Sequence, residues 1–171
     1  MKSIIFTGPK HCGKTSAARA FSQLCSCNFL DVDEMIFQRT GKTCRELYIQ
    51  SPEVFLNAES QAVAAIPESD CVIAAGGGII DNKDAIAILK ELKVFIIYLN
   101  VSADCAWERI IAAADGELPP FLRTENPRET HRELHERRII GYYRLADIII
   151  EAEDKSPEMI AAEISKRLRQ V

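Results

Sequence analysis

Eight consecutive residues, Gly8-Pro9-Lys10-His11-Cys12-Gly13-Lys14-Thr15, have the composition and spacing of a phosphate-gripping P-loop. Such a loop aims several main-chain N–H groups at one anionic phosphate, at the positive end of a helix, with no side chain blocking the approach. Gly8 and Gly13 supply that freedom. Lys14 then brings a point charge to the β and γ phosphates, and the Thr15 hydroxyl is placed to ligate the Mg²⁺ that bridges them. His11, Cys12 and Ser16 complete the stretch expected to touch ATP. An apolar run ahead of the loop (Ser3-Ile4-Ile5-Phe6-Thr7) and a helical pattern from Ser16 to Leu24 supply the strand and helix that a P-loop requires.

Three further groups belong to the same chemistry. Asp31 and Asp33 close the run Phe29-Leu30-Asp31-Val32-Asp33, and alternation along a strand predicts both carboxylates on one side of it. One can hold hydrated Mg²⁺ and the other can accept a proton from an attacking hydroxyl; capping of the following helix by Asp33 is the bland alternative. Gly76-Gly77-Gly78 follows another apolar run and is expected to leave main-chain N–H groups open to a ligand. Between residues 123 and 138, Arg123, Arg128, Arg132, Arg137 and Arg138 interleave with four glutamates. Most should form i,i+4 surface pairs on a solvated helix, but one or two, Arg123 among them, are candidates to reach the transferring phosphoryl group. Arg109 is a candidate on the nucleotide side. His131 and His135 lack a third ligand, which argues against zinc, and Cys25-Ser26-Cys27 has no companion ligands either.

The elements that must position these groups are legible as short apolar runs over residues 2–7, 28–32, 71–75, 94–99 and 147–151, separated by helical patterns. Five strands alternating with helices predict an α/β fold: a three-layer, doubly wound, parallel sheet with helices on both faces. Ser51-Pro52 and Ser156-Pro157 read as helix starts, Ser102 as the cap of the helix carrying Trp107, and Gly41 and Pro67 as stops. A chain of 171 residues, 47% hydrophobic, suits one domain spanning 1–171 with a real core. Residues 34–66, mostly helical, are the candidate acceptor-binding segment, and residues 116–138 the candidate lid. A net charge of −4 argues against a general nucleic-acid surface. Six scattered cysteines, no membrane-length apolar run and no leader-like start predict a reduced, cytoplasmic protein without membrane partners, most simply a monomer.

Taken in order, the loop, Phe29-Leu30-Asp31-Val32-Asp33-Glu34-Met35-Ile36, Arg39-Thr40-Gly41-Lys42, Phe55-x-x-x-Glu59, Gly76-Gly77-Gly78 and the stretch from Arg138 to Asp147 resemble shikimate kinase over nearly the whole chain. The resemblance implies a P-loop fold of the nucleoside-monophosphate-kinase type, with transfer of the ATP γ-phosphoryl group to a hydroxyl of a small carboxylate-bearing cyclitol. It implies that Asp31 serves the metal and Asp33 the acceptor hydroxyl, that Gly77 and Gly78 border the acceptor, that Arg138 holds its carboxylate and that Arg109 lies at the nucleotide. The chain departs from the family pattern at three places. His11 stands where many small-molecule kinases have a third loop glycine. Leu56 stands where the family has an arginine that pairs with the acceptor's carboxylate. Pro119 stands where the family's lid opens with an arginine, and Arg123, four residues on, is the candidate replacement. These departures leave two rivals to shikimate phosphorylation: a kinase of the same fold with a different acceptor, and a nucleotide-binding relative without transfer chemistry.

Overall fold

The computed structural model describes residues 2–113 and 117–169. Five strands, β1 (Ile4–Thr7), β2 (Asn28–Asp31), β3 (Cys71–Ala74), β4 (Phe95–Asn100) and β5 (Ile148–Glu151), form one parallel sheet in the order β2-β3-β1-β4-β5. Among the described residues, eight α-helices surround it: α1 (Lys14–Cys25), α2 (Val32–Thr40), α3 (Cys44–Gln50), α4 (Pro52–Ala64), α5 (Lys83–Glu91), α6 (Ala103–Ala113), α7 (Pro127–Leu145) and α8 (Pro157–Leu168). The expected α/β architecture stands, and each predicted strand is recovered to within two residues at either end.

Strand alternation sorts the core into two layers. Ile4, Phe6, Val72, Ala74, Ile97 and Leu99 face α1 and α8, where they meet Ala17, Phe21, Ile160 and Ile164. Ile5, Ile73, Cys71 and Ala75 face the other way, onto Val32, Ile36, Leu47, Val63 and Leu89 of α2 to α5. Coverage of both faces explains why the strands read as continuous apolar runs. Among the described residues all six cysteines are free thiols, and no helix is long and apolar enough to cross a membrane.

The caps follow their sequence signals. Ser51, Ser102 and Ser156 each accept a main-chain N–H from the first turn of α4, α6 and α8, and Gly41 ends α2 in the left-handed conformation at φ 69°. Two expectations are corrected. Asp33 does not lie on a strand: β2 stops at Asp31, whose side chain caps α2 by accepting the Asp33 N–H at 3.0 Å. Asp31, not Asp33, is therefore the capping residue, and the two carboxylates are brought together by a strand-to-helix turn rather than by alternation. The arginines near α7 also differ from expectation. Arg132 pairs with Glu129 within the helix, but Arg128 reaches Asp104 on α6, and Arg137 and Arg138 converge on Asp81 beyond β3. The candidate lid begins at Gly116, which lies outside the described residues.

Strand order places β1 between β3 and β4 at the switch point: from β1 the chain runs to β2 and β3 on one side, then crosses to β4 and β5 on the other. The register sets Thr7 beside Tyr98, and Phe6 and Asp31 both beside Ala74, so β1, β2 and β3 all end at one edge. In open α/β sheets that edge holds the ligand.

Candidate active site

The loop between β1 and α1 is shaped by close contacts. Gly8 has φ 141°, and a Cβ there would lie 2.6 Å from the Leu99 carbonyl oxygen, so the loop passes β4 closer than any side chain allows. His11, at the position where a glycine is common, takes φ 60°, the left-handed region that glycine enters without strain. Burial, then the charges of Lys10 and Lys14, lower the pKa of its imidazole. Gly13 precedes α1 with no side chain capping the helix and no acidic residue in the first turn, which leaves its N–H groups directed at the loop. Lys14 is buried; its Nζ donates to the Pro9 carbonyl at 2.7 Å and lies 3.7 Å from Cys12 Sγ. Ser16 is exposed in the first turn of α1. Arg109 of α6 donates to the carbonyls of Glu153, at 2.7 Å, and His11, at 3.5 Å, and so stands beside the loop.

A hydroxyl and a carboxylate meet next to the loop, where Thr15 Oγ1 donates to Asp31 Oδ2 at 3.2 Å. This all-oxygen pair suits a hard cation such as Mg²⁺, which usually takes one or two protein ligands and completes its shell with water and phosphate. Among the described residues there is no group of three or more His, Cys, Asp or Glu that could hold a metal ion by itself. His131 and His135 pack as a pair beneath Trp107 instead.

A cavity of about 680 Å³ reaches from the loop at Lys10 and His11 across Asp33 to Phe121. Asp33 opens onto the cavity, but the surrounding protein, and next the Asp31 charge, raise its pKa; the Cys44 thiol donates to it and partly offsets the shift. The thiol itself is pushed up to about 12 by burial and by Asp33, so it stays protonated and acts as a donor. Gly76, Gly77 and Gly78 line the cavity. Their role is only partly the one expected of open N–H groups. A Cβ at Gly77 would stand 2.9 Å from the Lys10 nitrogen, so this glycine lets β3's exit pack directly on the phosphate loop, and its carbonyl accepts a hydrogen bond from the Tyr142 hydroxyl. Gly76 fits between Glu59 and Asp33, and Gly78 lies against Arg138.

Arg138 lines the cavity at 16% side-chain exposure, but its Nε and Nη2 both reach Asp81 Oδ2, at 2.8 and 2.7 Å. Arg123 is not among the cavity's walls; it is held by Glu117 and the Leu118 carbonyl at the rim. The Leu56 side chain is likewise absent from the lining. Glu59, 1% exposed, faces an amide where an arginine would be expected: Asn82 Nδ2 donates to Glu59 Oε2 at 2.9 Å. Asn82's orientation is fixed, because its Oδ1 accepts the Ala85 N–H and the Ser60 hydroxyl. Burial therefore dominates, and the Glu59 pKa rises to about 7. Arg45, Tyr48 and Asn82 are site residues that sequence reasoning missed. No local spacing marks them, since each reaches the cavity or Glu59 only through tertiary packing.

Fold and loop together define a P-loop protein of the nucleoside-monophosphate-kinase type, and the relatives that follow make it a phosphotransferase acting on an alcohol group. The shikimate kinase family model matches residues 10–169. The chain belongs to the shikimate kinase family. A shikimate kinase of Marinomonas sp. is 32% identical over 95% of this chain and 89% of its own length, and one of Shewanella sp. (strain W3-18-1) is 29% identical over 98% and 96%. The shikimate kinase of Acinetobacter baumannii, solved in complex with shikimate, superposes with a TM-score of 0.88 at 25% identity, covering 99% of this chain and 94% of that one.

Proposed function

We propose that this chain transfers the γ-phosphoryl group of ATP to a hydroxyl of shikimate or a closely related carboxylate-bearing alcohol. The observation that carries the reading is that one cavity at the sheet edge is walled by Lys10 and His11 of the phosphate loop, by Asp33 and by Gly76, Gly77 and Gly78, while Asp31, two residues before Asp33, is joined to Thr15 of the loop. Gly8, His11, Cys12, Gly13, Lys14, Thr15 and Ser16 enclose the phosphates, with Arg109 beside the nucleotide. Lys14 exchanges its bond to the Pro9 carbonyl for the β and γ phosphate oxygens, where its charge counters that developing in transfer. Thr15 and Asp31 would hold Mg²⁺, which when bound draws charge from the phosphate oxygens. Asp33 orients the acceptor hydroxyl and takes its proton; burial and the Asp31 charge raise its pKa and so make it a better base than an ordinary aspartate. Gly76, Gly77 and Gly78 bound the acceptor, Arg138 faces its carboxylate, and Arg123 is the nearby cation on the lid side.

Residues 1–171 act as one kinase domain, with 34–66 forming the acceptor wall and 116–138 the lid. The chain works as a cytoplasmic monomer without nucleic-acid or membrane partners, a reading supported by the free thiols and the acidic net charge. An assay coupling ADP release to NADH oxidation, with shikimate and MgATP, tests the function. Shikimate-dependent turnover that Lys14→Met abolishes is expected; ADP release indifferent to shikimate would remove this acceptor. A second reading, a different acceptor alcohol, is favoured by Leu56 and by Glu59 facing Asn82, and a panel of cyclitols and sugar acids in the same assay separates the two.

A further inference from the structure

At the cavity rim a carboxylate of the chain itself lies between two guanidinium groups. Glu117 Oε2 accepts from Arg45 Nη2 at 2.5 Å and from Arg123 Nη2 at 3.2 Å. Arg45 stands in the first turn of α3, 72 residues from Glu117 in sequence, and both line the cavity. The hydrogen bond and charge of Arg45, then the charge of Arg123, hold the Glu117 carboxyl below the usual range, so it is a full anion in this cradle.

The other arginine of the lining, Arg138, is already held at two of its nitrogens by Asp81 and is 16% exposed. Arg45 and Glu117 remain 45% and 66% exposed. Ion pairs this open contribute only about 0 to 1 kcal/mol, so a dissolved carboxylate exchanges readily with Glu117. The exchange is charge-neutral, one carboxylate leaving the guanidinium as another arrives.

Resting on the acceptor-pocket reading above, we propose that Arg45 is a specificity-determining residue: with Arg123 behind it, Arg45 binds the carboxylate of the acceptor alcohol, and Glu117 occupies that position until the acceptor displaces it. Arg45 thereby supplies, from α3, the cation that Leu56 does not supply from α4. A planar guanidinium is the appropriate group, since it can grip a carboxylate at two nitrogens.

The test sets Arg45→Ala, Arg45→Lys and Glu117→Gln against the wild type, with shikimate and its uncharged methyl ester as acceptors, read as KM in the coupled assay and as Kd by calorimetry. For shikimate, Arg45→Ala is expected to raise KM about tenfold, the loss of one charge-assisted hydrogen bond at a partly exposed site, and Arg45→Lys to restore part of it. Glu117→Gln is expected to lower KM about two- to fivefold by removing the competitor. For the methyl ester both effects should vanish, and KM for ATP should not move. A merely structural ion pair would make Arg45→Ala and Glu117→Gln act in the same direction and equally on both acceptors, which would overturn the assignment while wild-type turnover left the acceptor reading standing. Binding of shikimate without transfer would sink the catalytic reading, and the Kd values would still decide the role of Arg45. Failure of shikimate to bind the wild type would overturn both.

Discussion

Replacing Glu59 by glutamine should stabilise the protein, and only on the alkaline side. The carboxyl is 1% exposed and its hydrogen-bond partner is the uncharged Asn82 amide, so ionising it means leaving a charge in a dry site. Its pKa moves from 4.5 to about 7. At ~1.4 kcal/mol for each tenfold change in proton affinity, that difference corresponds to about 3 kcal/mol. Between the two values the folded carboxyl keeps its proton while the unfolded chain has released its own; stability therefore falls as pH rises through this window and levels off above it. The penalty is under about 1 kcal/mol at pH 5 and reaches about 3 kcal/mol at pH 8. Glu59→Gln keeps an acceptor for Asn82 and cannot ionise, so the variant should match the wild type to within about 1 kcal/mol at pH 5 and exceed it by about 2 to 3 kcal/mol at pH 8. Urea denaturation at the two pH values measures the difference directly, and a thermal scan at pH 8 should show a rise of about 2–4 °C for each kcal/mol. A variant no more stable relative to the wild type at pH 8 than at pH 5 would show that Glu59 is charged in a compensated setting, and the argument from Asn82 would be wrong.

Other perturbations follow from the loop and the base. Gly77→Ala would place a methyl 2.9 Å from the Lys10 nitrogen, which is main chain and has little room to yield; a loss of about 1 to 3 kcal/mol in urea denaturation is expected, with a raised KM for ATP. His11→Gly should relieve the left-handed strain at φ 60°, and after the added flexibility of the unfolded chain is subtracted the net gain should be up to about 1 kcal/mol in the same measurement. Asp33→Asn should lower kcat by about 10²- to 10⁴-fold. In the wild type, kcat/KM should fall as pH drops through an Asp33 pKa lying above the usual 3.8, and a pH profile without that acid limb in the variant identifies Asp33 as the base.

The sheet and the phosphate loop were legible because their signals are local. An apolar run of four to six residues buried on both faces looks the same wherever it sits, and the glycine and lysine spacing of the loop is fixed by the size of a phosphate group. Asp33 was misplaced because Val32, apolar and next to Asp31, prolongs the strand pattern by one step; the helix start at Asp31 is set by a side-chain hydrogen bond that alternation cannot show. The arginines of α7 carry the correct charges for i,i+4 pairs, yet Asp81 and Asp104 lie within reach across neighbouring elements, and tertiary packing decided their partners. Arg45 gave no signal: it lies inside a Thr43–Glu46 capping box that accounts for the surrounding residues by itself. Asn82, likewise, reads as a helix cap for α5, which it is, while its amide also serves Glu59.

The two-sided core has a consequence for how such a protein diverges. Everything that anchors α1, and with it the nucleotide's cradle, is packed on one side of the sheet, whereas the helices carrying Leu56, Glu59 and Cys44 are packed on the other. Substitutions in the second layer can therefore accumulate and change which alcohol is accepted while the machinery for handling triphosphate is inherited intact.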